Sequence, residues 1–132
     1  MSIEENKGVI GRWIEARNRF DIEVALACWA DETHVCLRPA FNRFSVGFPD
    51  LHVTIDEMIA EGDKVVARWT MTGTHRGVWR EIPATGKTIQ WNGIDIYTIV
   101  NGKIEALDRA ADSLKLLKQL GTVLTWQDKV IQ

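Results

Sequence analysis

The chain has 132 residues, 45% of them hydrophobic, with a formal net charge of −2. That is enough for one domain, residues 1–132, to bury its own core without metals or disulfide staples. The sixteen Lys and Arg residues are scattered rather than gathered in a stripe, which argues against nucleic acid. No basic leader with an apolar run opens the chain and no stretch nears the roughly 18 apolar residues of a membrane span, so a cytoplasmic protein away from membranes is expected.

In chain order, Ser2 with Glu5 forms a capping box, and Ile10, Trp13, Ile14 and Arg17 recur at helical spacing to about Asn18. Asp21 can cap a second helix carrying Val24, Ala25, Cys28 and Trp29 and ending before Asp31. Thr33 to Leu37 reads as a short strand, and Pro39 to Val46 as a loop or a single helical turn. Leu51 to Ala60 and Lys64 to Thr74 alternate about a Glu61-Gly62-Asp63 turn, the pattern of a hairpin. A loop with Gly77, Pro83 and Gly86 leads to the longest strand pair, Lys87 to Val100 and Lys103 onward. Asp112 then opens a last helix, which Gly121 stops. Helices followed by a curved antiparallel sheet and a closing helix make an α+β domain.

Cys28 and Cys36 have neither CxxC nor Cys/His ligand spacing, so no metal is expected and both read as small buried hydrophobes. Trp13, Trp29, Trp69, Trp79, Trp91 and Trp126 are many for so short a chain. Each buries a large area yet needs a partner for its indole N–H. They either line a cavity or an interface, or simply fill a small core.

Asn101-Gly102 between the last two strands is the strongest hairpin signal, since both central residues of a type I′ turn need positive φ. Counting outward with Val100 opposite Lys103 sets Ile99 against Ile104, Tyr97 against Ala106, Asp95 against Asp108, Gly93 against Ala110 and Trp91 against Asp112, all on one face. That face would carry three carboxylates among apolar side chains. Opposed side chains lie roughly 5 Å apart, so Asp95 and Asp108 would share a proton or be neutralised by an Arg, for example Arg17.

The runs "FPDLHVTIDEMIAEGDKVVARWTMTGTHRG", "PATGK" and "NGIDIYTIVNGKIEALDRAADSLKLLKQLG" resemble the SnoaL-like polyketide cyclase family from Phe48 to Gly121. That family is similar to nuclear transport factor 2, ketosteroid isomerase and limonene epoxide hydrolase, all cone-shaped α+β barrels. The resemblance implies a sheet wrapped around an apolar pocket, a first helix acting as lid, and a homodimer. It also implies an Asp at the start of the last helix acting as general acid/base in an intramolecular aldol closure, without metal or cofactor. That position falls on Asp112. The companion Arg and Asp of the epoxide hydrolase would fall on Trp69 and Met71, so that constellation is incomplete. Two departures stand out. Asp108 occupies a position where relatives often have Trp, and Leu37 to Gly47 is short where relatives carry a helix, which would open one pocket wall.

The candidate catalytic residues are therefore Asp112, Asp108, Asp95 and His34. Desolvation fits a carboxylate for abstracting a proton next to a carbonyl, although Asp112 equally suits a helix N-cap. Its Cα should lie on the order of 13 Å from that of Asp108. His34 on the first strand is a candidate acid/base partner; His75 falls near a loop expected to be exposed, and His52 on a solvated face. Trp13, Arg17, Trp69, Met71, Trp91 and Tyr97 are expected to line the pocket. These residues fit a cofactor-free enzyme on an apolar carbonyl compound, or alternatively a module that binds a small apolar ligand or dimerises.

Overall fold

In a computed structural model, residues 2–122 are described. Helix α1 (Ile3–Asn18) starts at the anticipated capping box: Ser2 Oγ accepts from the Glu5 N–H at 3.1 Å, and Glu5 Oε1 accepts from the Ser2 N–H at 3.2 Å. Asp21 caps α2 (Ile22–Ala27) by accepting from the Val24 N–H. Strands β1 (His52–Glu61), β2 (Lys64–Thr74), β3 (Thr88–Val100) and β4 (Lys103–Ala111) form one antiparallel meander in the order β1-β2-β3-β4. The curved sheet stays open. Asn101 and Gly102 adopt φ of 51° and 76°, the left-handed pair that a type I′ turn needs.

The segment between α2 and β1 differs from expectation. A 3-10 turn (Asp31–Thr33) runs into α3 (His34–Gly47), so no strand covers Thr33 to Leu37, and His34 begins a helix instead. The helix expected to be missing is present. Pro39 cannot donate the bond that the Val35 carbonyl would accept, but Pro39 and Val35 both lie on the solvent side, where water can serve that carbonyl. On the opposite side Leu37, Phe41 and Phe44, spaced four and three apart, face the interior. Cys28 is buried as anticipated, whereas Cys36 is exposed on α3.

The decisive departure lies in β4. Pairing runs Val100 with Lys103 and Ile99 with Ile104, then skips Glu105 and resumes as Thr98 with Ala106, Tyr97 with Leu107, Ile96 with Asp108 and Asp95 with Arg109. This β-bulge moves every later residue of β4 to the face opposite the one counted from the turn. Its cause is long-range: the Ile104 N–H donates to the Cys28 carbonyl and the Ile104 carbonyl accepts from the Ala30 N–H, both at 2.8 Å. Ile104 is tied to the segment after α2 while the rest of β4 follows β3.

Asp108 consequently sits opposite Ile96 on the outer face, exposed, and does not oppose Asp95. Asp108→Asn is expected to change stability by less than about 0.5 kcal/mol in urea unfolding, as for an ordinary surface position. A gain above about 1 kcal/mol would put Asp108 back against another buried acid.

The inner face of the sheet supports two apolar clusters. One gathers Val9, Ile10 and Trp13 of α1 with Val65, Tyr97 and Ile104; the other gathers Phe48, Trp69, Trp79, Trp91 and Leu116. No helix among the described residues is long and apolar enough to cross a membrane.

Candidate active site

A cavity of about 150 Å³ lies between the two clusters, bounded by α1, α3 and the inner face of the sheet. Trp13 and Arg17 reach it from α1; Leu37, Phe41 and Phe44 from α3; Trp69 and Met71 from β2; Trp91 and Asp95 from β3; and Leu107 and Arg109 from β4. Helix α3 supplies the wall that the sequence alone leaves open.

Asp95 is the one carboxylate among the described residues lining the cavity, and it is 1% exposed. Arg109 grips it bidentately, with Nε donating to Oδ1 at 2.8 Å and Nη2 to Oδ2 at 2.9 Å. Parallel N–H bonds of this kind are the strongest common form of carboxylate recognition. Tyr97 Oη donates to the same Oδ2 at 2.9 Å and accepts from Trp13 Nε1 at 3.3 Å. Burial, and then the neighbouring Asp95 charge, push the Tyr97 phenol well above its ordinary value, so it remains a donor at neutral pH. Burial alone would lower the Arg109 guanidinium, but its bonds to Asp95 outweigh this and hold it above its usual range.

Arg17 has no such counter-ion among the described residues. It is 5% exposed, its Nη1 donates to Ser45 Oγ at 3.2 Å, and its guanidinium lies 4.1 Å from the centre of the Phe41 ring. Burial lowers its pKa to about 10.

The structure thus brings together five of the six expected lining residues, Trp13, Arg17, Trp69, Met71 and Trp91, with Asp95. Tyr97 is fully buried beside them and joins the site through its hydroxyl. The remaining acid/base candidates lie elsewhere. Asp112 is exposed and caps α4 (Ser113–Gln119), its Oδ1 accepting from the Lys115 N–H at 3.0 Å. It does not oppose Trp91; its backbone N–H donates to the Asn92 carbonyl at 3.1 Å, and it borders an open surface groove with Leu114, Lys115 and Lys118. His34 Nε2 lies 3.0 Å from the Trp29 carbonyl, outside the cavity lining. His75 is fully buried, not exposed, and its Nδ1 is bonded to Thr85.

Arg109, and not Arg17, neutralises Asp95. Sequence reasoning misses it because counting from the turn places Asp108 at that position; a one-residue bulge is all that separates the two. The α3 lining is missed because Pro39 hides the spacing of Leu37, Phe41 and Phe44. The tail that carries Val123, Leu124 and Trp126, which from sequence could either cover a partner subunit or fold back on its own sheet, lies outside the described residues.

An open, curved antiparallel sheet backed by helices defines the nuclear transport factor 2-like fold class. The SnoaL-like polyketide cyclase model matches residues 7–120, and the chain belongs to that family. TsrD from Streptomyces laurentii, 28% identical, superposes with a TM-score of 0.88 over 93% of this chain and 99% of that one. AclR from Streptomyces galilaeus, provisionally assigned as a hydroxylase, is 24% identical with a TM-score of 0.84, covering 96% of this chain and 91% of its own. IdmH from Streptomyces antibioticus, provisionally assigned as a polyketide cyclase, is 21% identical with a TM-score of 0.77 over 89% and 99%. These last two likenesses speak to the fold alone. No curated protein sequence gives a significant match.

Proposed function

We propose that the protein is a cofactor-independent cyclase-type enzyme that removes a proton next to a carbonyl, with Asp95 as the base. The observation that carries this is the position of Asp95: a buried carboxylate, fixed from behind by Arg109 and Tyr97, on the lining of an apolar cavity. A carboxylate offers about four acceptor sites. Three are used, leaving about one for a substrate proton.

In the aldol direction, Asp95 takes the carbon-bound proton and the electron pair passes into an enolate. The enolate carbon then attacks a second carbonyl of the same molecule, and the resulting alkoxide recovers the proton from Asp95. In the isomerase direction the proton returns to a different carbon. Arg109 remains a cation throughout and offsets the charge that moves between Asp95 and the substrate. Exclusion of water by the surrounding Trp side chains strengthens these interactions.

The occupied acceptor sites on Asp95 favour a second reading, in which the same pocket carries a small ligand without transforming it. Deuterium exchange into aryl ketones and 1,3-diketones, followed by NMR in D2O, separates the two. Wild type should accelerate exchange over buffer, and Asp95→Asn should lower the rate by about 100-fold or more, in the range of a lost general base. Asn caps a helix about as well as Asp, so Asp112→Asn removes the charge and keeps the cap. It should leave the rate within about threefold, a change worth well under 1 kcal/mol. If Asp112→Asn abolishes exchange and Asp95→Asn does not, the role belongs to the last helix; if no panel member exchanges, the carrier reading stands.

A further inference from the structure

Four residues of the cavity lining each carry a buried hydrogen-bond donor that nothing among the described residues satisfies. Arg17 Nη2 and the indole Nε1 atoms of Trp29, Trp69 and Trp91 are buried without an acceptor, and all four residues line the same space. Orphaned buried donors are uncommon in native proteins, and an unpaired buried cation is more costly still. The one carboxylate on the described lining, Asp95, is already held by Arg109 and Tyr97. Arg17 takes part in no ion pair among the described residues; its contacts there are the Ser45 hydroxyl and the Phe41 and Phe20 rings. The Phe41 face can stack against a guanidinium, but it cannot cancel its charge.

We infer that this cavity binds an organic anion: a planar compound of about one ring whose carboxylate, phenolate or enolate oxygen is held by Arg17. Charge decides the sign, because two guanidiniums and one carboxylate leave the lining one positive charge in excess. Donor type decides the chemistry, because a buried guanidinium with an unsatisfied N–H calls for an oxygen acceptor that also carries negative charge. Volume decides how much of the ligand is enclosed, since about 150 Å³ accommodates a single aromatic ring. Water could not neutralise Arg17.

The inference concerns the pocket assigned above to proton transfer, yet it is tested apart from catalysis. Benzoate has no proton next to a carbonyl to lose, so its binding is independent of what Asp95 does. Titration of the full-length protein with benzoate and with neutral benzamide, by calorimetry and by Trp fluorescence, is the experiment. Benzoate should bind at least tenfold more tightly than benzamide. Arg17→Met should erase that preference, because benzoate loses at least tenfold more affinity than benzamide does, and Arg17→Lys should restore part of it. Equal affinities in wild type, no binding of either probe, or a preference that survives Arg17→Met would each overturn the assignment. Should Arg17→Met fail to fold, the same reading rests on Arg17→Lys, whose benzoate affinity must fall at least severalfold, since a single ammonium cannot reproduce the guanidinium fork.

Discussion

Asp95→Asn is expected to destabilise the protein by about 3 kcal/mol, and Arg109→Met by a similar amount, since each leaves the other partner in a site built for charge. The Arg109 side chain is 36% exposed against 1% for Asp95, so water relieves part of the loss when Asp95 is the residue changed. Removing Arg109 strands the more deeply buried group, and that variant should be the worse of the two. The double variant is the informative one. With both charges gone, the introduced amide can still accept from the Tyr97 hydroxyl and the introduced thioether chain can still cover Trp69, so its loss should fall about 2 kcal/mol short of the summed single losses. Denaturant unfolding of the four proteins measures this directly. Strictly additive losses would mean that the two side chains do not interact in solution, and the proposed base would lose its support along with them.

Gly93→Ala is expected to damage stability and binding together. Gly93 sits opposite Trp69 across β2 and β3, and the Trp69 indole lies over the space that a side chain there would fill. A Cβ at position 93 would come within 2.7 Å of Trp69 Cε2, closer still to Cζ2, and 3.0 Å from the Ala110 carbonyl oxygen. The carbonyl belongs to β4 and cannot withdraw, so the indole must move. Overpacking of this kind costs about 1–3 kcal/mol. Trp69 stands edge-on to Trp91, with ring centres 5.2 Å apart, and the Arg109 guanidinium lies 5.0 Å from its ring centre. A displaced indole would therefore disturb the Arg109 clamp and intrude on the cavity. Thermal unfolding, with near-ultraviolet circular dichroism for the Trp environment, should report both, and benzoate affinity should drop by at least tenfold. An unchanged melting temperature with unchanged binding would show that Trp69 turns aside freely and is not held where the sheet places it.

Both results bear on how the site is encoded. Asp95, Tyr97 and Arg17 are recognisable as pocket residues because period-two alternation in β3 and helical spacing in α1 fix their faces locally. Arg109 is not recognisable in this way, although it is adjacent to a residue that alternation singles out. Alternation tells which residues share a face only while the register is unbroken, and one extra residue reverses the answer for the whole remainder of the strand. Counted without the bulge, Asp108 and Asp112 become inward-facing acids for that reason. Asp112 is doubly ambiguous, since a helix N-cap and a catalytic acid call for the same residue type, and only the geometry around Lys115 separates them.

Local sequence, then, determined the elements that close on themselves: the Ser2–Glu5 capping box, the Asp21 and Asp112 caps, the Asn101-Gly102 turn, and the alternating runs that make a four-stranded meander with one apolar face. The caps and the turn rest on contacts between residues a few positions apart, and the alternation is itself a short-range pattern, so the information needed is present in a short window. Tertiary structure decided the bulge at Glu105 and with it the partner of Asp95, because Ile104 is held by Cys28 and Ala30, residues far away in the chain. It also decided that α3 continues through Pro39, because burial of Leu37, Phe41 and Phe44 outweighs one missing backbone bond on the wet side of the helix. Where a residue's role depends on which distant segment takes its hydrogen bonds, no local pattern can specify it, and only the folded arrangement does.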